Sequence, residues 1–447
     1  MTKLSRFESD RGRRPRVVII GAGFGGMMAA KRFKGRPVDV ILVDKRNYHL
    51  FQPLLYQVAT ADLSPADVAW PIRGLFSHQS NVQVLLATVT GVDTQARQIL
   101  TSGQGVIAYD YLILATGAQH SYFGKDEWAP FAPGLKRIID ATEIRKRILV
   151  AFERAEAAED PAEQRRQLNF VVVGGGPTGV EMAGAIAELA HKALPKDFRT
   201  INSRDARVIL VEAGDRLLKQ VDPALSSYAR KALERLGVEV MLGSRVSHVD
   251  AWGVAIGEES IPAATVIWGA GVAASPAGRW LGVDTDRAGR VLVDERLQVP
   301  GLAGVFAIGD TAGSQGWNDN PVPGIAPAAK QGGAYAARAI LADLGLAADP
   351  GPFRYRHHGT LATIGRNSAV IEMGRFKLTG GLAWWFWGVA HISFLIGVRS
   401  PLLVAMQWFW AYLTFKKGAR LITGLHPLFD PPPRPEPAGR RAIDLKG

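Results

Sequence analysis

The chain has 447 residues, of which 47% are hydrophobic and 21% charged, and it carries a formal net charge of +12. This length allows about three domains, and the composition excludes a disordered or collagen-like protein. The chain contains no cysteine. Disulfides, thiolate zinc sites, iron–sulfur clusters and redox chemistry through a protein thiol are therefore excluded, and no metal site is predicted.

The positive charge is concentrated at the two ends of the chain. Residues 1–36 carry ten basic and two acidic side chains, residues 351–447 carry thirteen and four, and the middle is net negative. Five of the eleven tryptophans lie in the C-terminal stretch, at positions 384, 385, 387, 408 and 410. Tryptophan beside basic residues is typical of a membrane interface. Nucleic-acid binding by the basic ends is the alternative.

Two segments share one pattern of strand, glycine turn and helix. The first turn is GAGFGG at 21–26, and the second is GGGPTG at 174–179. Glycine permits the tight bend, the approach of a pyrophosphate and close helix packing, and the helix N-terminus favours negative charge. Each segment therefore predicts a Rossmann-like dinucleotide-binding unit. The candidate binding residues are Gly21, Gly23, Gly25 and Gly26 in the first turn, and Gly174, Gly176 and Gly179 in the second.

An acidic residue ends the next predicted strand of each unit, Asp44 in the first and Glu212 in the second. A carboxylate at this place accepts a hydrogen bond from a ribose hydroxyl and repels a 2′-phosphate. We therefore expect both acids to bind ribose, and we expect Glu212 to favour NAD over NADP. Two such units in one chain suggest one flavin and one nicotinamide dinucleotide.

Three further apolar strands end in glycine, and they suggest how the units are connected. They end at Thr116 and Gly117, at Gly271, and at Gly309 before Asp310. Because the last one follows the second unit, the simplest topology inserts the second unit into the first. This predicts an α/β protein with an FAD-binding domain at 1–118 and 297–350, an NAD-binding domain at 119–296, a C-terminal membrane and quinone region at 351–430, and a Pro-rich tail at 431–447.

Several of these strand ends are candidates to contact the cofactors. Asp310 is predicted to hold the ribityl chain of the flavin, beside Thr116 and Gly117, and Gly271 is predicted to contact NAD. The alternative for Asp310 is a helix N-cap. A helix beginning near Pro327 would direct its positive end at the flavin, with Lys330 and Gln331 adding to this effect. The alternative for Lys330 is an ordinary surface lysine.

The missing cysteines constrain the fate of the electrons. Transfer from flavin to a protein disulfide is impossible, so the acceptor is external: a quinone, dioxygen or a partner redox protein. Residues 378–398 contain no formally charged side chain and are long enough to span a bilayer. We favour helices lying in the membrane plane. A spanning segment and a buried helix or dimer contact are the alternatives.

The motifs together resemble those of the type II NADH:quinone oxidoreductases, the single-subunit alternative NADH dehydrogenases. The resemblance runs from Val17 to about Gly424. Besides the glycine turns, it includes NYHLFQPLLYQVA at 47–59, GPTGVE at 176–181, FAIGD at 306–310, FLIG at 394–397, QW at 407–408 and YLTF at 412–415.

The resemblance implies a cycle in which NADH reduces FAD and the reduced flavin reduces a membrane quinone, without proton pumping. It implies that Glu181 tunes a charge-transfer or proton step; the alternative is a carboxylate at a helix terminus. Gln331 matches a family glutamine beside the quinone, Pro327 replaces its partner glutamine, and His358 lies where the family often has a lysine.

The resemblance also implies a peripheral protein on the cytoplasmic face of a bacterial inner membrane, with a homodimer as a possible assembly. No nucleic acid is expected as a partner. The alternative functions are a soluble NADH oxidase or a reductase of a small redox protein, and a flavin-bound protein whose basic ends bind nucleic acid.

Overall fold

The computed structural model describes residues 13–316, 320–394, 402–406, 408–409 and 418–423. The basic residues before position 13, the Pro-rich tail at 431–447 and the motifs at 395–397, 407 and 412–415 lie outside the described residues.

A five-stranded parallel sheet forms the first unit. Its strands, in spatial order, are Val305–Ala307, Tyr111–Leu114, Arg16–Ile20, Asp39–Asp44 and Val82–Leu86. Helices Phe24–Arg32 and Ala326–Asp343 pack against one face. The other face is covered by an antiparallel sheet of Thr88–Asp93, Gln98–Ser102 and Gly105–Ala108. Because both faces are covered, the central strands are continuous apolar runs.

The second unit repeats this design with a four-stranded parallel sheet. Its strands, in spatial order, are Val238–Met241, Arg207–Val211, Asn169–Val173 and Thr265–Trp268. Its helices are Ile138–Ala157, Pro177–Glu188 and Pro223–Arg235. An antiparallel sheet of Val246–Asp250, Gly253–Ile256 and Glu259–Pro262 packs against the opposite face.

The predicted insertion of the second unit into the first is confirmed. Strand Val305–Ala307 follows the second unit in sequence but pairs with Tyr111–Leu114 in the first sheet. The two connections between the units, Ala118–His120 and Val272–Ala274, pair with each other as antiparallel strands. The chain therefore leaves and re-enters the first unit side by side. The residue boundaries predicted for the domains stay predictions.

The C-terminal part packs on the second unit. An antiparallel sheet of Thr360–Thr363, Ala369–Met373 and Phe376–Thr379 leads into helix Gly380–Phe394. This helix buries Ala383 and Trp387 against the second unit's core. Within the described residues, no helix combines the length and the apolar character needed to cross a bilayer.

The remaining elements are short. The helices are Gln52–Leu54, Leu55–Ala59, Pro65–Val68, Ile72–Leu75, Asp126–Trp128, Pro161–Gln167, Leu189–Ala193, Ser203–Asp205, Ala277–Leu281 and Gly309–Thr311. The short strands pair Tyr48–Leu50 with Ala69–Pro71 and Val291–Leu292 with Ala312–Gly313.

Candidate functional site

The first glycine turn leaves space at one position and none at two others. Gly21 has a φ of +102°, and a side chain there would begin 2.3 Å from the carbonyl oxygen of Ala115. A side chain at Gly26 would begin 1.8 Å from the carbonyl oxygen of Gly21. At Gly23, by contrast, no protein atom lies within 4 Å of that position. The turn is thus closed against its own backbone and open towards a ligand.

Asp44 fixes this turn through both carboxylate oxygens. Oδ2 accepts from the backbone amide of Ala22 at 2.7 Å, and Oδ1 accepts from that of Arg46 at 2.8 Å. A carboxylate offers about four acceptor positions. Asp44 can therefore shape the turn and still accept a hydrogen bond from a ribose hydroxyl.

The second glycine turn is built in the same way. Gly174 has a φ of +108°, and a side chain at Gly179 would begin 1.7 Å from the Gly174 carbonyl oxygen. The position above Gly176 is open. Glu212 accepts from the backbone amides of Gly175 and Gly214, each at 2.6 Å.

Two predicted binding glycines serve close contacts within the protein. The first is Gly25. A side chain at Gly333 would begin 2.1 Å from its carbonyl oxygen, so Gly25 and Gly333 together let helices Phe24–Arg32 and Ala326–Asp343 cross closely. Gly271, with a φ of +75°, lies against Ser121 and Phe123.

Thr116 and Gly117 lie at a junction between the two units. The Thr116 hydroxyl is hydrogen-bonded to the hydroxyls of Ser275 and Thr311, and the Gly117 amide donates to Thr311 Oγ1 at 2.9 Å. The Ser275 amide in turn donates to the Gly117 carbonyl at 3.0 Å. These hydroxyls connect the end of a strand in the first unit with Ser275 and with Thr311, the residue directly after Asp310.

Asp310 lies in the short helix Gly309–Thr311 and is half-buried. Within the described residues, its carboxylate makes no hydrogen bond or ion pair. Asp310 interacts electrostatically with Lys136, whose pKa is lowered because burial disfavours the ammonium, an effect that Asp310 partly offsets. Asp310 is therefore an acceptor that remains available, and it is not the cap of a longer helix.

Helix Ala326–Asp343 places Lys330 between two aromatic rings. Its Nζ lies 5.3 Å from the centre of Phe24 and 5.0 Å from that of Phe394. The pKa of Lys330 is lowered, first by burial and second by the charge of Lys31. Lys330 thus joins the first glycine helix to the C-terminal helix by cation–π contacts, which an ordinary surface lysine would not do.

The three residues predicted to contact the quinone lie on helix Ala326–Asp343, which also carries Lys330, and in the segment that Gln331 contacts. Pro327 lies in the first turn of helix Ala326–Asp343. The Gln331 amide donates to the Arg356 carbonyl at 2.8 Å and accepts from the Arg356 amide at 3.0 Å, so both of its ends are occupied. His358 is exposed.

Three regions of the chain meet at Glu181. This residue lies on helix Pro177–Glu188, and its carboxyl accepts from the backbone amide of Thr363 in the C-terminal sheet. Burial raises the pKa of Glu181 well above its ordinary value, and the Thr363 hydrogen bond opposes the rise. Tyr56 of the first unit is also buried, and burial followed by the charge of Glu181 raises its pKa.

The same tyrosine is linked to the C-terminal tryptophans. Trp408 Nε1 donates to Gln57 Oε1 at 2.8 Å, and the Gln57 amide donates to the Tyr56 hydroxyl at 2.9 Å. Trp408 stacks on Trp387 at 5.5 Å, and Trp387 stacks on His391 at 4.2 Å. A continuous set of contacts thus runs from the C-terminal helix to the neighbourhood of Glu181.

Sequence reasoning missed several residues of this site. His49 is buried, and its Nδ1 lies 2.8 Å from the carbonyl oxygen of Ala22 in the first turn. Tyr56, Thr311 and Lys136 are the other clear cases. Tyr56 and His49 lie within the 47–59 segment and Thr311 directly follows Asp310, so position in the sequence was a usable signal. Nothing local marks Lys136, which the fold brings from the second unit.

These residues fit two dinucleotides. Each turn has a G-x-G-x-x-G pattern with an open position above its second glycine, Gly23 or Gly176. Each also has a free helix N-terminus and a carboxylate with unused acceptor positions. The carboxylate of Asp310, which has no partner among the described residues, fits the hydroxyl groups of a ribityl chain, which require acceptors. Gly21, Gly23, Asp44 and Asp310 would therefore hold FAD.

Comparisons with known proteins agree with this geometry. A family model described as "Pyridine nucleotide-disulphide oxidoreductase" matches residues 15–333, and one described as "NDH2 C-terminal domain" matches 357–415. The type II NADH:quinone oxidoreductase NdhA of Mycobacterium tuberculosis is 45% identical over 439 residues, which cover 95% of this chain and 92% of NdhA. The chain belongs to the type II NADH:quinone oxidoreductase family. The resemblance inferred from the sequence is confirmed.

Solved structures of low identity support the fold alone. The NDH2 of Plasmodium falciparum in complex with NADH matches with a TM-score of 0.84 at 22% identity, over 92% of this chain and 100% of that one. The sulfide:quinone oxidoreductase of Aquifex aeolicus matches with a TM-score of 0.70 at 17% identity, over 87% and 92% of the two chains. The predicted α/β fold of the family is confirmed.

Proposed function

We propose that the protein oxidises NADH and reduces a membrane quinone, with FAD as its cofactor and without pumping protons. Membership of the family supports the enzyme class. FAD, when bound, accepts a hydride from NADH and passes the electrons to the quinone. In this proposal 1–118 and 297–350 hold FAD, 119–296 binds NADH through Glu212 and the second glycine turn, and 351–430 provides the membrane and quinone region.

One observation carries the proposal: the first unit, the second unit and the C-terminal sheet meet at Glu181. Oxidation of NADH by a quinone consumes one proton from the medium. Because burial raises the pKa of Glu181, its carboxyl carries a proton under conditions in which an exposed glutamate is ionised. We propose that Glu181 holds the proton that the quinone takes up.

Two-stage rapid mixing tests the redox proposal. NADH should reduce the bound flavin, and a short-chain quinone should then reoxidise it many times faster than dioxygen does. Reoxidation by dioxygen as fast as by quinone would favour the NADH oxidase instead. Glu181→Gln should slow the quinone step and spare reduction by NADH. Glu188→Gln, a matched change on the same helix, should affect neither step.

The outer face of the C-terminal helix supports attachment to a membrane. Helix Gly380–Phe394 contains no Asp, Glu, Lys or Arg and exposes Leu382, Trp385, Phe386, Val389 and Phe394. Such a contiguous apolar surface is uncommon on a protein that stays in water. We propose that this face lies on the cytoplasmic side of a bacterial plasma membrane, where NADH is available. A homodimer is a further proposal, to be measured by sedimentation.

Flotation with anionic vesicles tests the attachment. Val389 and Val106 are both exposed valines, at 67% and 54%, and only Val389 lies on the proposed membrane face. Val389→Glu should reduce flotation, whereas Val106→Glu should not. Equal loss in both variants would remove this face from the membrane contact. Salt-sensitive binding to duplex DNA in place of vesicles would favour the nucleic-acid alternative.

A further inference from the structure

A large cavity lies under the C-terminal residues and away from the glycine turns. Its volume is about 1450 Å³, larger than the roughly 300–1,000 Å³ of common small-molecule pockets. One wall is helix Ile138–Ala157, and the other comes from residues 403, 406, 409 and 418–422. The apolar lining comprises Leu149, Phe152, Leu403, Met406 and Phe409, among others. We call this space the Arg145 cavity.

Arg145 contributes an unbalanced charge to this cavity. The residue is 6% exposed, and its Nε is buried without a hydrogen-bond partner. Among the residues that the structure describes, no carboxylate forms an ion pair with it. Burial lowers the pKa of its guanidinium, and no neighbouring acid opposes this effect. Leaving a buried cation uncompensated is costly, so a bound anion would remove a penalty that is already present.

Three of the four acidic residues that line the cavity have other partners. Glu156 accepts from the backbone amides of Arg199, Thr200 and Ile201. Asp197 forms an ion pair with Arg420, and Asp62 accepts from the Thr60 hydroxyl at 3.3 Å. The remaining acid, Glu153, is exposed. Among the described residues that line the cavity, Arg145 is therefore the buried charge without an ion-pair partner, whereas the charge of Glu153 is exposed to water.

We propose that the Arg145 cavity binds one anionic membrane phospholipid. The phosphodiester group would accept hydrogen bonds from the Arg145 guanidinium, a geometry that suits arginine. An acyl chain would lie along Leu403, Met406 and Phe409. The exposed side chains of Leu402, Leu421 and Ile422 beside the cavity provide an apolar route from a bilayer. A neutral quinone would leave the buried cation unbalanced.

This inference rests on the proposed membrane attachment, and it is independent of the quinone chemistry. The test is titration of the full-length protein with a short-chain phosphatidylglycerol below its micelle concentration, measured by calorimetry and by native mass spectrometry. One lipid should bind per chain. Arg145→Met should weaken binding at least tenfold, and Arg145→Lys should weaken it less because the charge is kept. Lys146→Met is the matched control, because it removes the same charge from the next residue, outside the cavity; it should bind as the unchanged protein does.

A second variant guards against a folding defect. Met406 is 60% exposed, so Met406→Glu should fold normally and still weaken binding by placing a charge beside the acyl chain. NADH oxidation with a soluble quinone should be unchanged in Arg145→Met, which separates failure of the lipid site from failure of the proposed function.

Any of four binding results would overturn the proposal. They are undiminished binding in Arg145→Met, equal binding of zwitterionic phosphatidylcholine, equally tight binding of inorganic phosphate, and competition by a short-chain quinone. A lipid-free Arg145→Met protein with a lower melting temperature than the unchanged protein would also contradict it, because removing an unbalanced buried cation should stabilise the empty state.

Discussion

The two glycine turns are alike in themselves and differ in what encloses them. In each G-x-G-x-x-G pattern, the first glycine has a positive φ, and the third, Gly26 or Gly179, abuts the carbonyl of the first. An acid from the next strand accepts a hydrogen bond from the amide that follows the first glycine. The helix of the first turn is crossed by Ala326–Asp343 through Gly25 and Gly333. The helix of the second turn meets the C-terminal sheet, where Gly184 lies against Ile364 and Gly365.

In the proposed function, the parts that the two turns share bind the dinucleotides, and the parts in which they differ contribute the side chains for the reaction. The shared parts are local in sequence and build the same dinucleotide cradle twice. At the first turn, remote segments supply Lys330 and buried His49. At the second, Glu181 with its raised pKa belongs to the helix of the turn itself, and the remote group is Thr363 of the C-terminal sheet, whose amide donates to it. The same substitution in each glycine turn should therefore have similar effects on structure, whereas substitutions in the segments around the two turns should have different effects.

The largest expected effects come from the third glycine of each turn. Gly26→Ala and Gly179→Ala should each lower the free energy of unfolding by roughly 3 kcal/mol or more, because the new carbon would overlap a backbone carbonyl. Gly26→Ala should lose FAD, and Gly179→Ala should keep FAD but lose affinity for NADH. The measurements are unfolding by denaturant, the flavin-to-protein ratio and the KM for NADH.

The second glycines provide the control for this comparison. Because Gly23 and Gly176 face open space, Gly23→Ala and Gly176→Ala should keep near-normal stability of the ligand-free protein while weakening the same two ligands. If the third-glycine variants were as stable as these, close packing of the turns would not explain the requirement for glycine.

The dependence of stability on acid pH should reveal the buried histidine beside the first turn, for which the second turn has no counterpart. Burial lowers the pKa of His49 from 6.5 to about 4, and the Ala22 carbonyl partly opposes this. A lowered histidine pKa gives stability that is present above pH 6.5 and lost as the pH falls from 6.5 towards 4. His49→Asn keeps a donor near Ala22 but cannot titrate. Between pH 6.5 and pH 4, the free energy of unfolding should therefore fall by about 3 kcal/mol less in the variant than in the unchanged protein. Denaturant unfolding measures this difference.

A variant in the second turn tests whether this effect is local to the first. The second turn, GGGPTG at 174–179, contains no titrating side chain. Thr178→Ser therefore changes no ionisable group, and it should leave the acid dependence as it is in the unchanged protein. If His49→Asn also left the acid dependence unaltered, His49 would bind its proton equally well in the folded and unfolded chains, and its burial would not be the cause of the acid sensitivity.

The two acids should have smaller effects that point to different ligands. Asp44→Asn and Glu212→Gln each replace one acceptor of a backbone amide by a donor, which should cost about 1–3 kcal/mol. Asp44→Asn should reduce the flavin content. Glu212→Gln should keep the flavin, weaken NADH binding and relax the preference against NADPH. An unchanged NADH-to-NADPH preference would remove Glu212 from the ribose site.

The sequence predicted the glycine turns and their acids, and it missed the contacts that distant segments make with them. Both turns, both acids and the return of strand Val305–Ala307 follow from apolar runs and glycine spacing, because these features act over a few residues. The hydrogen bond from Thr363 to Glu181 joins residues from separate domains. The hydrogen bonds between Gln331 and Arg356 also join two predicted domains, although these residues are only 25 positions apart in the sequence. No periodicity in the sequence indicates this pairing. Burial of His49 and Arg145 likewise depends on which helices cover them, and the neighbouring sequence does not encode that.

The smallest expected effect concerns the contact between the first unit and the C-terminal tryptophans. Trp408→Phe removes the donor to Gln57 but keeps an aromatic ring beside Trp387, so stability should fall by about 1 kcal/mol. Gln57→Leu should cost a similar amount, and the double variant should cost less than the sum, because either change alone breaks the same hydrogen bond. Strict additivity would mean that the bond contributes nothing. Other contacts, among them the edge-to-face pair of Phe51 with His391 and those of Lys330, would then hold the first unit to the C-terminal helix.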